Sequence, residues 1–249
     1  MARETGERPM NQPTGRTHRT PESALRGERV EPIRVGGHTL KLLLPEQAHT
    51  LLDDPFVEQA FEADEYMPYW AELWPAARML AEALLHQPPA FPVGTRALEV
   101  GCGLGLVSAA GLLAGLHMTI TDYDLTAVEF ARRTALANAP EGAIFTAMAL
   151  DWRSPPPVRY PLIVGADLLY EERSVAPLLS LLTACLEPGG QAWICDPDRA
   201  NGKLFGAQAG DLGMVLEARA VHSIETDGRR IGGTLYRLGL PRRGTDGPL

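Results

Sequence analysis

The chain has 249 residues, 45% of them hydrophobic, and 23 basic against 31 acidic side chains give a formal net charge of −8. That length suits one well-cored domain with extensions, and the acidic balance argues against a general nucleic-acid binder, which would be basic. Three cysteines without a C-x-x-C pair suit reduced thiols in a cytoplasm, and neither a signal peptide nor a membrane-length apolar run is visible.

Residues 1–30, rich in Arg, Glu, Thr, Pro and Gly, are expected to be a disordered tail. Residues 31–92 read as an N-terminal hairpin and helical cap. Within them, Ile33 to Pro45 alternates about Gly36-Gly37, a hairpin pattern. Glu46 to Glu62 reads as helical with a break near Pro55. An aromatic stretch follows, holding Tyr66, Tyr69, Trp70 and Trp74. Pro75 then suits the first turn of a helix to about His86, which Pro88, Pro89 and Pro92 end. The aromatic rings either pack between helices or form a lid over a ligand.

Residues 93–240 alternate strand with helix, the pattern of an α/β fold with a parallel sheet. Helices are expected near Leu104 to Ala114, Leu125 to Asn138, Glu172 to Leu186 and Asn201 to Leu212. Glu187-Pro-Gly-Gly190 reads as a plain turn before a strand from Gln191 to Cys195. Met214 to His222 and Arg229 to Leu238 alternate as two closing strands. Residues 241–249 are expected to be a loose tail.

Four of the predicted strands end in acid-bearing loops. The first is Glu99-Val-Gly-Cys-Gly-Leu-Gly105, where Gly101, Gly103 and Gly105 permit a tight turn and close backbone approach to a ligand at a helix start. The second strand ends in Asp122 about twenty residues on, where nucleotide-binding folds hold ribose. A dinucleotide site would want its third glycine at Leu106, so NAD(P) is the weaker reading. The third loop carries Asp151-Trp152. The fourth is Gly165-Ala-Asp-Leu-Leu-Tyr170. Together they should line the carboxyl edge of one sheet, where open α/β folds bind ligands.

With its terminal strand pair, this pattern resembles the seven-β-strand, class I S-adenosylmethionine-dependent methyltransferases. The resemblance implies a Rossmann-like seven-stranded, mostly parallel sheet, helices on both faces and an antiparallel C-terminal strand pair, with residues 93–240 as the cofactor-binding core. Tyr69-Trp-Ala-Glu-Leu-Trp-Pro-Ala-Ala77 and Asp167-Leu-Leu-Tyr170 are similar to the tryptophan-proline and D-x-x-Y motifs of seven-strand protein-lysine methyltransferases. Asp196-Pro-Asp-Arg199 resembles the D-P-x-R of those acting on the electron-transfer flavoprotein β-subunit, where glycine is usual in place of Asp198.

The resemblance implies S-adenosyl-L-methionine as cofactor and a protein lysine as methyl acceptor. Asp122 would accept from both ribose hydroxyls. The Gly101–Gly105 amides would meet the carboxylate, loop carbonyls and Glu99 the ammonium. Asp151 would accept from the adenine amino group, with Trp152 or Tyr123 against the ring. Trp74 would cover the methionine end, and Ala166 is counted among the cofactor contacts. Asp167 and Tyr170 are assigned to the reaction, Asp167 orienting and desolvating the amine; its alternative is to cap the following helix. Methyl transfer to an amine needs positioning above all, and requires neither a metal ion nor a covalent enzyme intermediate. The alternative readings are a small-molecule N-methyltransferase, and a non-catalytic binding module of the same fold. Neither nucleic acid nor a membrane is expected as a partner, and the expected location is cytoplasmic.

Overall fold

A computed structural model describes residues 3–4, 18–20, 25, 27–86 and 92–240. Some backbone within residues 1–30 is paired. Arg3–Glu4 (β1) pairs in parallel with Ile144 and Phe145. His18 bridges to Asp124, and β2 (Glu28–Val35) already begins inside the expected tail. A polar segment builds no core of its own, yet its backbone groups can still pair where the rest of the chain offers partners.

β2 and β3 (His38–Pro45) form the predicted hairpin. Gly36 and Gly37 take φ of 56° and 77°, as a primed two-residue turn requires. The predicted helix break falls where expected: Ala48–Asp53 is a 3₁₀ turn and α1 (Pro55–Asp64) starts afresh. There Asp54 accepts the Phe56 amide at 2.9 Å, and Pro55 occupies a position whose N–H would have no partner. α2 (Pro75–His86) has the predicted bounds. Pro88, Pro89 and the expected tail at 241–249 lie outside the described residues.

The core continues as β4 (Arg96–Val100), α3 (Leu106–Leu113), β5 (His117–Asp122), α4 (Leu125–Asn138), β6 (Ile144–Ala149), β7 (Tyr160–Ala166), α5 (Val175–Cys185), β8 (Leu186–Asp196), α6 (Gly202–Asp211), β9 (Val215–Ile224) and β10 (Arg230–Gly239). The strand order is β6-β5-β4-β7-β8-β10-β9, with β1 added beside β6. β4 to β8 run parallel, and β10 is antiparallel to both neighbours. This is the Rossmann-like seven-stranded sheet with the closing antiparallel pair.

Parallel strands covered on both faces read as nearly continuous apolar runs, and β4 and β7 do. Alternate residues feed opposite layers. Leu98, Ile163 and Ile194 face α5 and Phe205 of α6. Ala97, Leu162, Val164 and Trp193 face α2, α3 and α4. The hairpin sends Leu40 and Leu42 against Ala109, Ala110 and Phe130. One expectation fails locally: Glu187–Gly190 lies inside β8. Leu186 already pairs with Tyr160 and Gln191 with Leu162, so the extra residues bulge out of a strand that has begun.

Chain order and sheet order diverge at β4, whose neighbours are β5 and β7. That switch point opens a crevice beyond the strands' carboxyl ends. The cavity described next lies there.

Candidate functional site

Gly101, Gly103 and Gly105 all have positive φ, at 66°, 49° and 83°. A Cβ on Gly101 would stand 2.6 Å from Leu168 Cδ2 and 3.4 Å from Trp152 Cζ2. The loop passes from β4 to α3 under Asp122, which ends β5. The Gly103 amide donates to Asp122 Oδ2 at 2.9 Å, and the Asp124 amide donates to Oδ1 at 3.1 Å. Each carboxylate oxygen keeps a lone pair for a further donor. Burial pushes this carboxyl up to about 6 despite the two amides.

A cavity of about 450 Å³ opens here, lined by Gly101, Gly103 and Asp122 on one wall. Tyr123, Asp151 and Trp152 line the next wall. Asp151, 4% exposed, is already engaged by Arg153, whose amide and Nε lie 2.9 Å from Oδ1. Arg153 also donates to the Tyr123 hydroxyl at 2.8 Å, and that hydroxyl donates to Asp64 at 2.6 Å. Behind this wall, Asp124 caps α4, while Tyr66 and Thr20 donate to its other oxygen. His18 stacks on Tyr66 with centroids 4.3 Å apart.

The far wall carries Trp74, Ala166, Asp167 and Tyr170. Asp167 has φ of 59°, a left-handed conformation that Asp tolerates better than most residues. Its side chain does not cap the helix that follows, whose N-cap is Ser174. Oδ1 accepts from Arg199 Nε at 2.6 Å, while the buried Oδ2 has no hydrogen-bond partner. Burial raises this carboxyl above its ordinary value, although Arg199 pulls it down. Arg199 also lies over the Trp74 ring at 5.4 Å. Trp74 Nε1 donates to the Tyr69 carbonyl at 2.7 Å, and the Tyr69 ring meets Tyr170 at 4.7 Å. The upstream aromatics thus divide between the two readings: Tyr69, Trp70 and Trp74 line the cavity, while Trp70, 6% exposed, also packs on Phe130.

Two predicted contacts do not line the cavity. Glu99 shares the face of β4 that α3 covers, so its carboxylate accepts from Ser108 beneath the loop. Only 2% exposed, it is pushed by burial up to about 8. A group so raised binds its proton in the folded protein between pH 4.5 and about 8. Its contribution to stability therefore declines as pH rises through that window. Gly105 serves packing, since a Cβ there would sit 2.6 Å from Ala131 Cα of α4. Conversely, sequence reasoning missed Arg199 as the partner of Asp167, and the Arg153–Asp64–Tyr123 network. Arg199 stood visible in Asp196-Pro-Asp-Arg199. No signal near Arg153 pointed to Asp64, 89 residues away.

The cavity fits a cationic nucleoside with a polar tail. Its volume is that of a small-molecule site, aromatic faces flank it, and acids outnumber arginines along its walls. Asp122 can accept from vicinal hydroxyls, and the glycine cradle admits close approach. Among the described residues no group of His, Cys, Asp and Glu is arranged to hold a metal.

The family described as lysine methyltransferase matches residues 61–204. Mouse EEF1A lysine methyltransferase 3 is 32% identical over 134 residues, 53% of this chain and 57% of the relative. The electron transfer flavoprotein beta subunit lysine methyltransferase of Xenopus laevis is 32% identical over 54% of each chain. The chain thus spans about half the length of the relatives it matches. A SAM-dependent methyltransferase from Methanosarcina mazei shares the fold, with a TM-score of 0.51 at 13% identity, over 61% of this chain and 95% of that one.

Proposed function

The chain belongs to the lysine methyltransferase family, and on that premise we propose that it transfers the methyl group of S-adenosylmethionine to a lysine side-chain amine of a protein. One observation carries the reading: Asp122, bound to the glycine loop, and Asp167, beside Arg199, line the same cavity.

Asp122 would hold the ribose hydroxyls, Trp152 and Tyr123 would flank the base, and Trp74 would cover the amino-acid end. When bound, the cofactor supplies a sulfonium methyl open to in-line displacement. The chain's own task is to deliver a neutral amine along that line, because an ammonium has no lone pair. Tyr69, Trp74 and Tyr170 form an aromatic mouth that strips water from the amine and favours its neutral form. Asp167, already paired with Arg199, orients the amine without adding net negative charge. The net charge of −8 favours a protein acceptor over nucleic acid. The three cysteines are free, and no helix among the described residues is long and apolar enough to cross a membrane. The free thiols support a cytoplasmic location.

Incubation with methyl-labelled S-adenosylmethionine and a cell lysate tests the proposal. Label should enter protein and, after hydrolysis, co-elute with methylated lysine. Label confined to small molecules would overturn the protein-lysine reading, and absence of cofactor binding by calorimetry would overturn the enzyme.

Cofactor affinity should also depend on pH. Two hydroxyls donate best to an ionised Asp122, and that group binds a proton below about 6 in the free protein. The dissociation constant should therefore be flat above pH 7 and rise toward about tenfold per unit at lower pH. A constant affinity from pH 7 to 5 would remove Asp122 from the binding role.

A further inference from the structure

Asp167 and Arg199 lie 32 residues apart on the loops after β7 and β8. Arg199 Nε and Nη2 both stand 2.6 Å from Asp167 Oδ1, so the guanidinium spends two donors on one oxygen. The other oxygen, on a residue 5% exposed, is left without a partner. Arg199 is itself held in place. Its amide donates to Asp196 Oδ1 at 2.6 Å, and its guanidinium lies over Trp74. The turn that carries it is pinned twice more: Asp198, at φ of 60°, accepts from Thr234 at 2.7 Å, and Asn201 donates to the Leu169 carbonyl at 2.9 Å.

Resting on the reading of this cavity as a methyl-transfer site, we propose that Arg199 is a positioning residue. Its guanidinium engages one oxygen of Asp167 and ties that carboxylate to the aromatic wall at Trp74. Two consequences follow from the charge. Pairing with Arg199 opposes the burial that favours the acid form of Asp167. The pair is also neutral, so it does not hold the incoming amine in its protonated, unreactive form. The other groups around Asp167 are Asp196 on the turn that carries Arg199, Cys195 on β8 and the Ala76 amide at the start of α2. Asp167 and Asp196 disfavour each other's ionisation, while the Arg199 side chain and the Ala76 amide favour that of Asp167.

The test uses the full chain with Arg199→Met and Arg199→Lys, free of cofactor. Carbon-13 carboxyl NMR follows Asp167, assigned as the resonance missing in Asp167→Asn. In Arg199→Met its titration should move to higher pH by about one to three units. Arg199→Lys should restore most of the difference. Affinity for S-adenosylhomocysteine, measured by calorimetry, should stay near wild type. Label transfer from S-adenosylmethionine to lysate protein should fall about tenfold at neutral pH. In an Asp167→Asn background, Arg199→Met should cost nothing further, because the arginine acts through the acid.

An unmoved Asp167 titration in folded Arg199→Met would overturn the role, as would a full additional loss in the double variant. If Arg199→Met does not fold, Arg199→Gln carries the same readout, and a wild-type Asp167 titration in it would overturn the role. A wild-type chain that binds no S-adenosylhomocysteine would overturn the reading of the cavity. Normal binding with an unmoved titration would overturn Arg199 alone.

Discussion

Gly105→Val should cost roughly 2–5 kcal/mol of folding stability, from a left-handed backbone penalty of about 1–2 and overpacking of about 1–3. The glycine sits at φ of 83° at the mouth of α3, and a Cβ would stand 2.6 Å from Ala131 Cα, 2.8 Å from its Cβ and 3.0 Å from its carbonyl. Backbone on a packed helix cannot move aside as a side-chain tip can. Against a total stability of roughly 5–15 kcal/mol, such a loss should show as a large drop in the urea midpoint. Gly142→Val is the internal control: its φ is 80°, but nothing lies within 4 Å of an added Cβ. It should cost only the backbone share, about 1–2 kcal/mol. Equal losses at the two sites would refute the close packing of the glycine loop on α4.

Asp167→Asn should reduce methyl transfer by about 10²-fold or more while leaving cofactor affinity near wild type. The substitution keeps shape and tolerates the left-handed φ of 59°, so the loop should fold as before. What disappears is the charge. Arg199 then faces a neutral amide, so the pair that holds the loop against Trp74 is lost and the arginine's charge stands uncompensated beside the incoming amine. Asp122 and the glycine loop are untouched, so calorimetry separates this loss from failed cofactor binding. Label incorporation by Asp167→Asn at the wild-type rate would reduce Asp167 to a residue that shapes its loop.

Much of the frame could be read residue by residue along the chain. The bounds of α2 and α4 came from Pro75 and from the periodicity after Asp124. Asp122 followed from its distance beyond the glycines, and it does meet the Gly103 amide. These signals are local: backbone sterics, helix capping and side-chain period act over a few residues and leave their mark in order. The stretch at Glu187–Gly190 misled for the same reason, because its glycines look like a turn until the pairing of Leu186 with Tyr160 is known.

The amino-acid sequence by itself determined the strand-helix alternation, the glycine turn and the four acid-bearing loops on one sheet edge. Tertiary structure decided which of those acids meet the cavity. Glu99 lies on a strand face that α3 covers, so it turns to Ser108, while Asp167 turns to Arg199 and Asp151 to Arg153. The same holds for His18 and Thr20, whose partners Tyr66 and Asp124 stand on distant elements. The choice of partner depends on which elements the topology sets side by side, and a buried charge takes whichever donor arrives there.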